Sequence, residues 1–296
     1  MTRALVLGGG GPVGIAWESG LVAGLAQAGV DLGTADFTMG TSAGSFVGAR
    51  LALGADRKTF ADPILADHIG GEERRPSGGG GGSPPDLSKL MTLMGEAQGG
   101  TRNPAEVRAE IGAFALGAAT MSEDEFIATF GRAFASQPVD AWPERGFACT
   151  AVDALTGAFQ LWTAQSGVGV ARAVASSCSV PGIYPPVTLS GRRYIDGGMR
   201  SATNADMASG HELVLVVAIG VGGAGGAVAE AMTKRFNEEI ESLKDGGATV
   251  VTITPDEASI AAFGPNLMDF RRRPGAAKAG VAQGLAYAKD LQPYWP

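Results

Sequence analysis

Three short segments hold the residues whose types and spacing could do chemistry. Gly40-Thr41-Ser42-Ala43-Gly44 is a G-x-S-x-G sequence that follows an apolar run and precedes a helical pattern. In a strand-turn-helix setting this spacing makes a nucleophile elbow. The sharp turn strains Ser42, only glycine fits on either side, and the hydroxyl projects above the sheet end at the N-terminus of the next helix. Gly8 to Gly14 contains G-x-G-x-x-G at Gly9, Gly11 and Gly14, again between a strand and a helix. Amides free of side chains at a helix N-terminus hold negative charge. Two uses of that loop compete: a dinucleotide site, for which Asp31 or Asp36 would supply the acidic partner, and an oxyanion hole for a tetrahedral acyl intermediate. The serine elbow favours the second. Asp196-Gly197-Gly198 follows Arg192-Arg193-Tyr194-Ile195, which reads as a strand running into a tight turn. A carboxylate at a strand end, backed by glycines, can reach a serine hydroxyl, although D-G-G by itself is also an ordinary turn.

The elements that must position these residues follow from the hydrophobic pattern. Ala4 to Leu7 and Asp36 to Met39 read as strands, each followed through a glycine-rich turn by a helix, Ile15 to Leu25 and Ser45 to Leu53. Two such units predict a parallel sheet with helical crossovers, hence an α/β fold. Glu72 to Pro85 has no periodicity, and 71–86 reads as a flexible Gly/Pro/Ser-rich loop. Beyond it, 87–136 reads as a helical insertion or lid of three helices: one from Leu87 to Met94, one opened by Asn103 and Pro104, and one opened by a Ser122/Glu125 capping box. Strands resume at Phe147 to Val152, Ala158 to Thr163, Leu213 to Ile219 and Val250 to Ile253, with helices at Ala227 to Leu243 and Ala276 to Leu291. The whole of 1–296 reads as one domain without repeats.

The order of a glycine-rich loop, G-T-S-A-G and D-G-G, with Ala-Ser-Ser-Cys-Ser-Val-Pro-Gly-Ile-Tyr-Pro-Pro-Val (residues 175–187) before the last, resembles the patatin-like phospholipase family. The resemblance covers residues 1 to 54 and 147 to about 220; 55–146 and the C-terminal third carry no family signature. It implies a three-layer α/β/α fold with a mainly parallel sheet and an inserted helical subdomain. It also implies Ser42 as nucleophile, Asp196 as proton acceptor, and the backbone of Gly9, Gly10 and Gly11 as oxyanion hole, with Gly14, Gly40, Gly44, Gly197 and Gly198 as motif glycines. One departure is Val13, where many members carry Arg or Lys, so a positive charge beside the oxyanion loop is missing.

An aspartate near its ordinary pKa of ~3.9 is a feeble base, so the assignment requires burial, for which Ile183, Tyr184 and Ile195 are candidates. The two histidines are His68 and His211, and the order Ser42, Asp196, His211 would also suit a triad. Against this, His211 enters the start of a strand, whereas sites of parallel sheets lie at strand C-terminal ends.

The implied function is a lipid acyl hydrolase, a serine carboxylic-ester hydrolase of phospholipase A or lysophospholipase type working through an acyl-serine, with 87–136 offering an apolar wall for an acyl chain. An acyltransferase or thioesterase would use the same dyad; a catalytically silent lipid-binding module and a nucleotide-binding oxidoreductase are the alternatives. A net charge of −7 argues against nucleic acid. The basic run Arg271-Arg272-Arg273 and the pair Arg74-Arg75 read as solvated surface or as contacts to anionic headgroups. Cys149 and Cys178 form neither a disulfide framework nor a zinc set and read as buried fillers, and no calcium loop is present, so no cofactor or metal is expected. No signal peptide and no apolar stretch of ~18 residues is found, which predicts a cytoplasmic protein with at most peripheral membrane contact.

Overall fold

The computed structural model describes residues 1–66, 88–99, 102–134, 138, 141–220 and 226–295. The stretch 71–86 and His68 lie outside the described residues. In chain order the elements are β1 (Arg3–Leu7), α1 (Gly11–Gln27), β2 (Phe37–Gly40), α2 (Ala43–Ala52), α3 (Asp62–Leu65), α4 (Ser88–Gly99), α5 (Pro104–Gly117), α6 (Glu123–Ala133), β3 (Gly146–Asp153), β4 (Phe159–Trp162), α7 (Val170–Ser177), β5 (Val187–Leu189), β6 (Arg192–Asp196), β7 (Leu213–Val217), α8 (Gly226–Asp245), β8 (Thr249–Ile253), α9 (Glu257–Phe263) and α10 (Arg273–Leu291).

Five strands, β8-β7-β1-β2-β3, pair in parallel, and β4, β5 and β6 add antiparallel pairs. Strand alternation sorts the apolar residues between two helical layers. Leu5, Leu7, Leu213, Leu215 and Val217 face a core shared with α1, α2 and α10. Ala4, Val6, Val214 and Val216 face the opposite core with Phe236, Ile240 and Leu243 of α8. The result is the expected three-layer α/β/α arrangement with a mostly parallel sheet. α1 packs unusually close on α10: a Cβ on Gly20 would meet the Ala277 carbonyl oxygen at 2.1 Å, and one on Gly280 the Trp17 carbonyl oxygen at 2.2 Å.

The described residues of 87–136 hold α4, α5 and α6, with α4 running on to Gly99, past the expected end at Met94. Asn103 caps α5 by accepting from the Ala105 amide at 3.0 Å. Both capping-box bonds of α6 are present, Ser122 N to Glu125 Oε2 at 3.0 Å and Glu125 N to Ser122 Oγ at 3.3 Å. They do not form a detached body. Val107 and Ile111 of α5 share a core with Val152, Ile195 and Met199, while Phe126 of α6 packs with Phe147, Val170 and Tyr194.

The pairing of β3 decides where the chemistry can sit. Cys149 pairs with both Gly40 of β2 and Trp162 of β4, and Ala151 pairs with both Gln160 of β4 and Asp196 of β6. A strand residue has one neighbour on each side, so β2 and β6 share the side of β3 opposite β4. β2 is parallel to β3 and β6 antiparallel, which turns their C-terminal ends toward each other.

Candidate active site

Ser42 follows the end of β2 and caps α2 with φ 51° and ψ −115°. Such a backbone costs energy in a non-glycine residue and persists only when its surroundings hold it. Here they do. The Ser42 amide donates to Ser177 Oγ at 3.0 Å. Its carbonyl accepts from Ser45 Oγ at 2.6 Å and from the Cys178 thiol at 3.1 Å. The flanking glycines are required by space: a Cβ on Gly44 would lie 2.1 Å from the Leu7 carbonyl oxygen, and one on Gly40 2.3 Å from Ser45 Cα.

The Ser42 side chain lies close enough to the Asp196 carboxylate to lower its pKa, and that carboxylate accepts from the Gly198 amide at 2.7 Å. Asp196 is 2% exposed and Ser42 7%. Burial pushes the Asp196 carboxyl up to about 7, against the lowering by the neighbouring Ser42 hydroxyl and the Gly198 amide. The Asp196 amide donates to the Ser179 carbonyl at 3.0 Å. Ser177, Cys178 and Ser179 therefore each fix one backbone group of the serine or the aspartate, which is the physical content of the Ala-Ser-Ser-Cys-Ser segment.

The glycine loop lies against Ser42; a Cβ on Gly9 would sit 3.5 Å from Ser42 Cβ. Its amides are not equivalent. Gly9 N donates to the Ala202 carbonyl at 2.8 Å, which removes it from the expected set of donors. The amides of Gly10 and Gly11 have no acceptor among the described residues and lie at the N-terminus of α1. Gly11 turns into the helix with φ 58°, and Gly14 packs 3.3 Å, at its Cβ position, from Ala43 Cβ. Val13 is fully buried in the core, so position 13 puts no charge near the loop.

Two residues absent from the sequence reading tie the motifs together. Asn204, fully buried in a left-handed conformation, donates from Nδ2 to Thr41 Oγ1 at 3.0 Å, to the Ser201 carbonyl at 2.8 Å and to the Gly197 carbonyl at 3.3 Å. It thereby bridges the elbow and the D-G-G turn. Glu239 of α8 accepts from Thr203 Oγ1 at 2.7 Å and the Ala205 amide at 2.9 Å, which fixes the segment carrying Asn204. Glu18 of α1 is fully buried and neither carboxyl oxygen makes a hydrogen bond. Burial drives it well above the usual carboxylate range, against a lowering by the Gly8 amide.

The competing assignments are not brought together. His211 Nδ1 lies 2.9 Å from the Ala208 carbonyl, and its ring stacks on Phe37 at 5.3 Å. Phe37 opens β2 and Ser42 follows its far end, roughly 16 Å away at strand rise, so no triad forms through His211. Asp36 accepts from the Arg3 amide at 2.7 Å and Asp31 pairs with Arg57 at 2.9 Å. Both precede β2, at the sheet end opposite the glycine loop, where neither can serve as the acidic partner of a dinucleotide there. Among the described residues no group of three or more His, Cys, Asp or Glu side chains could hold a metal ion.

A three-layer α/β/α protein with a strained serine at a strand-to-helix turn, a buried carboxylate beside it and a glycine loop against the serine has the geometry of a nucleophile elbow. A family model described as patatin-like phospholipase matches residues 5–209. The chain belongs to the patatin-like phospholipase family, a family of lipid acyl hydrolases. Similar solved structures include VipD from Legionella pneumophila, with a TM-score of 0.47 and 14% identity over 98% of this chain and 67% of VipD. Another is the type III effector protein ExoU, with a TM-score of 0.39 and 16% identity over 97% of this chain and 53% of ExoU, so the chain spans about half of ExoU's length. No curated protein sequence matches the chain. Among the described residues no helix is long and apolar enough to cross a membrane.

Proposed function

We propose that the chain hydrolyses carboxylic esters of lipids, as a phospholipase A or lysophospholipase, through a Ser42-Asp196 dyad. Ser42 Oγ attacks the acyl carbonyl carbon while its proton passes to Asp196, and the amides of Gly10 and Gly11 receive the developing oxyanion. Collapse of the tetrahedral intermediate expels the alcohol, which takes the proton from Asp196 and leaves an acyl-serine. Water then attacks the acyl carbon, giving its proton to Asp196. The second collapse returns that proton to Ser42 Oγ and releases the fatty acid.

The observation that carries this reading is the strained Ser42 beside a carboxylate buried enough to titrate near neutrality. A base at about 7 is matched to its task, whereas an ordinary aspartate is too weak. The test is fatty-acid release from phosphatidylcholine, lysophosphatidylcholine and a short-chain p-nitrophenyl ester, with wild type and Ser42→Ala side by side. Release by wild type alone supports the reading; release that survives in Ser42→Ala, or none from any ester, overturns it. Adding a small alcohol separates hydrolysis from acyl transfer, because a transferase would divert the acyl group to a new ester.

A further inference from the structure

The segment from Gly264 to Arg272, between α9 and α10, lies beyond residue 209, where the family match ends, yet it packs on the glycine loop. The Leu267 carbonyl accepts from the Val13 amide at 3.1 Å. A Cβ on Gly11 would lie 2.8 Å from Met268 Sδ and 2.9 Å from the Leu267 carbonyl oxygen, so both residues rest on the backbone of Gly11. Local bonds give the segment its shape. Asn266 Oδ1 accepts from the Met268 amide at 2.9 Å, and the Asn266 carbonyl accepts from the Asp269 amide at 3.1 Å. The Leu267 side chain packs on the core that α1 shares with α10. Close contact between those helices sets where the segment crosses α1: a Cβ on Gly24 would lie 2.2 Å from the Val281 carbonyl oxygen, and one on Gly284 2.6 Å from that of Leu21.

Four glycines in a row have little stiffness of their own, and Gly8 to Gly11 are held unevenly. The Gly8 and Gly9 amides donate to the Val217 and Ala202 carbonyls at 3.0 and 2.8 Å, and the Gly8 carbonyl accepts from the Gly44 amide at 2.9 Å. Past Gly9 the loop depends on the first turn of α1, through the bond from the Gly14 amide to the Gly10 carbonyl at 2.7 Å. Pro12 brings no amide to that turn and Leu267 takes the one of Val13, so the donors left free among the described residues are those of Gly10 and Gly11. We propose that Leu267 and Met268 are positioning residues of the oxyanion hole, a role that rests on the reading of Gly10 and Gly11 above. By holding Gly11 and the first turn of α1, they aim the two free amides at the carbonyl oxygen of the ester that Ser42 attacks. A donor's aim counts most once negative charge has formed, so loosening it lowers kcat and leaves KM little changed.

The test is turnover of a soluble p-nitrophenyl ester by wild type, Met268→Ala, Met268→Leu and Asn266→Ala, together with inhibition by an alkyl trifluoromethyl ketone, whose adduct on a serine carries an oxyanion. Met268→Ala should lose kcat by about tenfold to a hundredfold, the scale of a slight misplacement of catalytic groups, with KM little changed. The ketone should bind more weakly by the factor that kcat/KM falls. Asn266→Ala, which frees the Met268 amide, should move both in the same direction, and Met268→Leu, of similar volume, should keep both near wild type. The acid limb of the pH profile, set by Asp196, should hold its inflection in all four proteins. Wild-type kcat and ketone affinity in Met268→Ala, a fall in kcat with ketone affinity unchanged, or a loss in Met268→Leu as deep as in Met268→Ala would overturn the role. An inactive wild type would overturn the proposed function and this role with it, whereas an active wild type beside an unaffected Met268→Ala would overturn this role alone.

Discussion

Ser42 and Asp196 meet because the strands that carry them run head to head along one side of β3, Gly40 opposite Cys149 and Asp196 opposite Ala151. The pair is set by register on a third strand, not by a local turn. A slip of β6 by one residue would move its end by about 3.3 Å and send the Asp196 side chain to the other face of the sheet.

The pH dependence follows from the buried carboxylate. Asp196 must be ionised to accept the Ser42 proton, and its carboxyl is pushed up to about 7. The kcat/KM for a soluble ester should therefore rise through an inflection near pH 7 and fall about tenfold per unit on the acid side. A profile flat down to pH 5 would show that a group other than Asp196 takes the proton.

Asn204 is expected to be a positioning residue. Asn204→Ala removes three buried hydrogen bonds and places a less tolerant residue in a left-handed conformation, a loss of about 2–4 kcal/mol in unfolding free energy. Asn204→Gly keeps the backbone accessible but not the bonds. Both variants should lose kcat with KM little changed, measured where both remain folded; wild-type kcat in the glycine variant would contradict the bridging role.

The motifs were legible because their turns admit few residues. Gly40 and Gly44 face backbone atoms nearer than any side chain could fit, so the elbow shows in sequence as fixed letters around Ser42. The α5 and α6 caps were legible for a similar reason: Asn103, Ser122 and Glu125 each satisfy a helix amide locally. The eight-residue α7 and the three-residue β5 had no such signal, being too short for periodicity and packed with each other and with β3 and β6 by tertiary contact. The commitment of the Gly9 amide to Ala202, and the reach of Asn204 from one motif to another, depend on partners 193 and 163 residues apart in the chain. Cys178 read as a filler because burial and donation to the Ser42 carbonyl look alike in sequence.

That thiol has its own test. Burial drives the Cys178 thiol well up, with the Asp196 carboxylate adding to the effect, so it is no nucleophile in the folded protein. Iodoacetamide should leave both cysteines unmodified and activity intact under native conditions. Cys178→Ser, which keeps a donor, should retain more activity than Cys178→Ala. Rapid native alkylation with loss of activity would contradict this placement.

Glu18 links stability to pH. Its folded pKa stands well above the unfolded value near 4.5, so the unfolded chain gives up this proton first as pH rises. Stability from this residue is fully present below the unfolded pKa and is lost as pH climbs toward the folded one. Glu18→Gln removes that loss. Its Tm should match wild type near pH 4 and exceed it by several degrees at pH 8; a difference independent of pH would contradict a buried neutral acid.

The most direct measurement is labelling of the folded protein by a fluorophosphonate probe, with the modified residue mapped by mass spectrometry in wild type, Ser42→Ala and Asp196→Asn. The account predicts modification at Ser42 in wild type, none in Ser42→Ala, and a loss of at least a hundredfold in labelling rate in Asp196→Asn, on the order of the contribution of a positioned base. Modification at another serine, or a wild-type rate in Asp196→Asn, would contradict it.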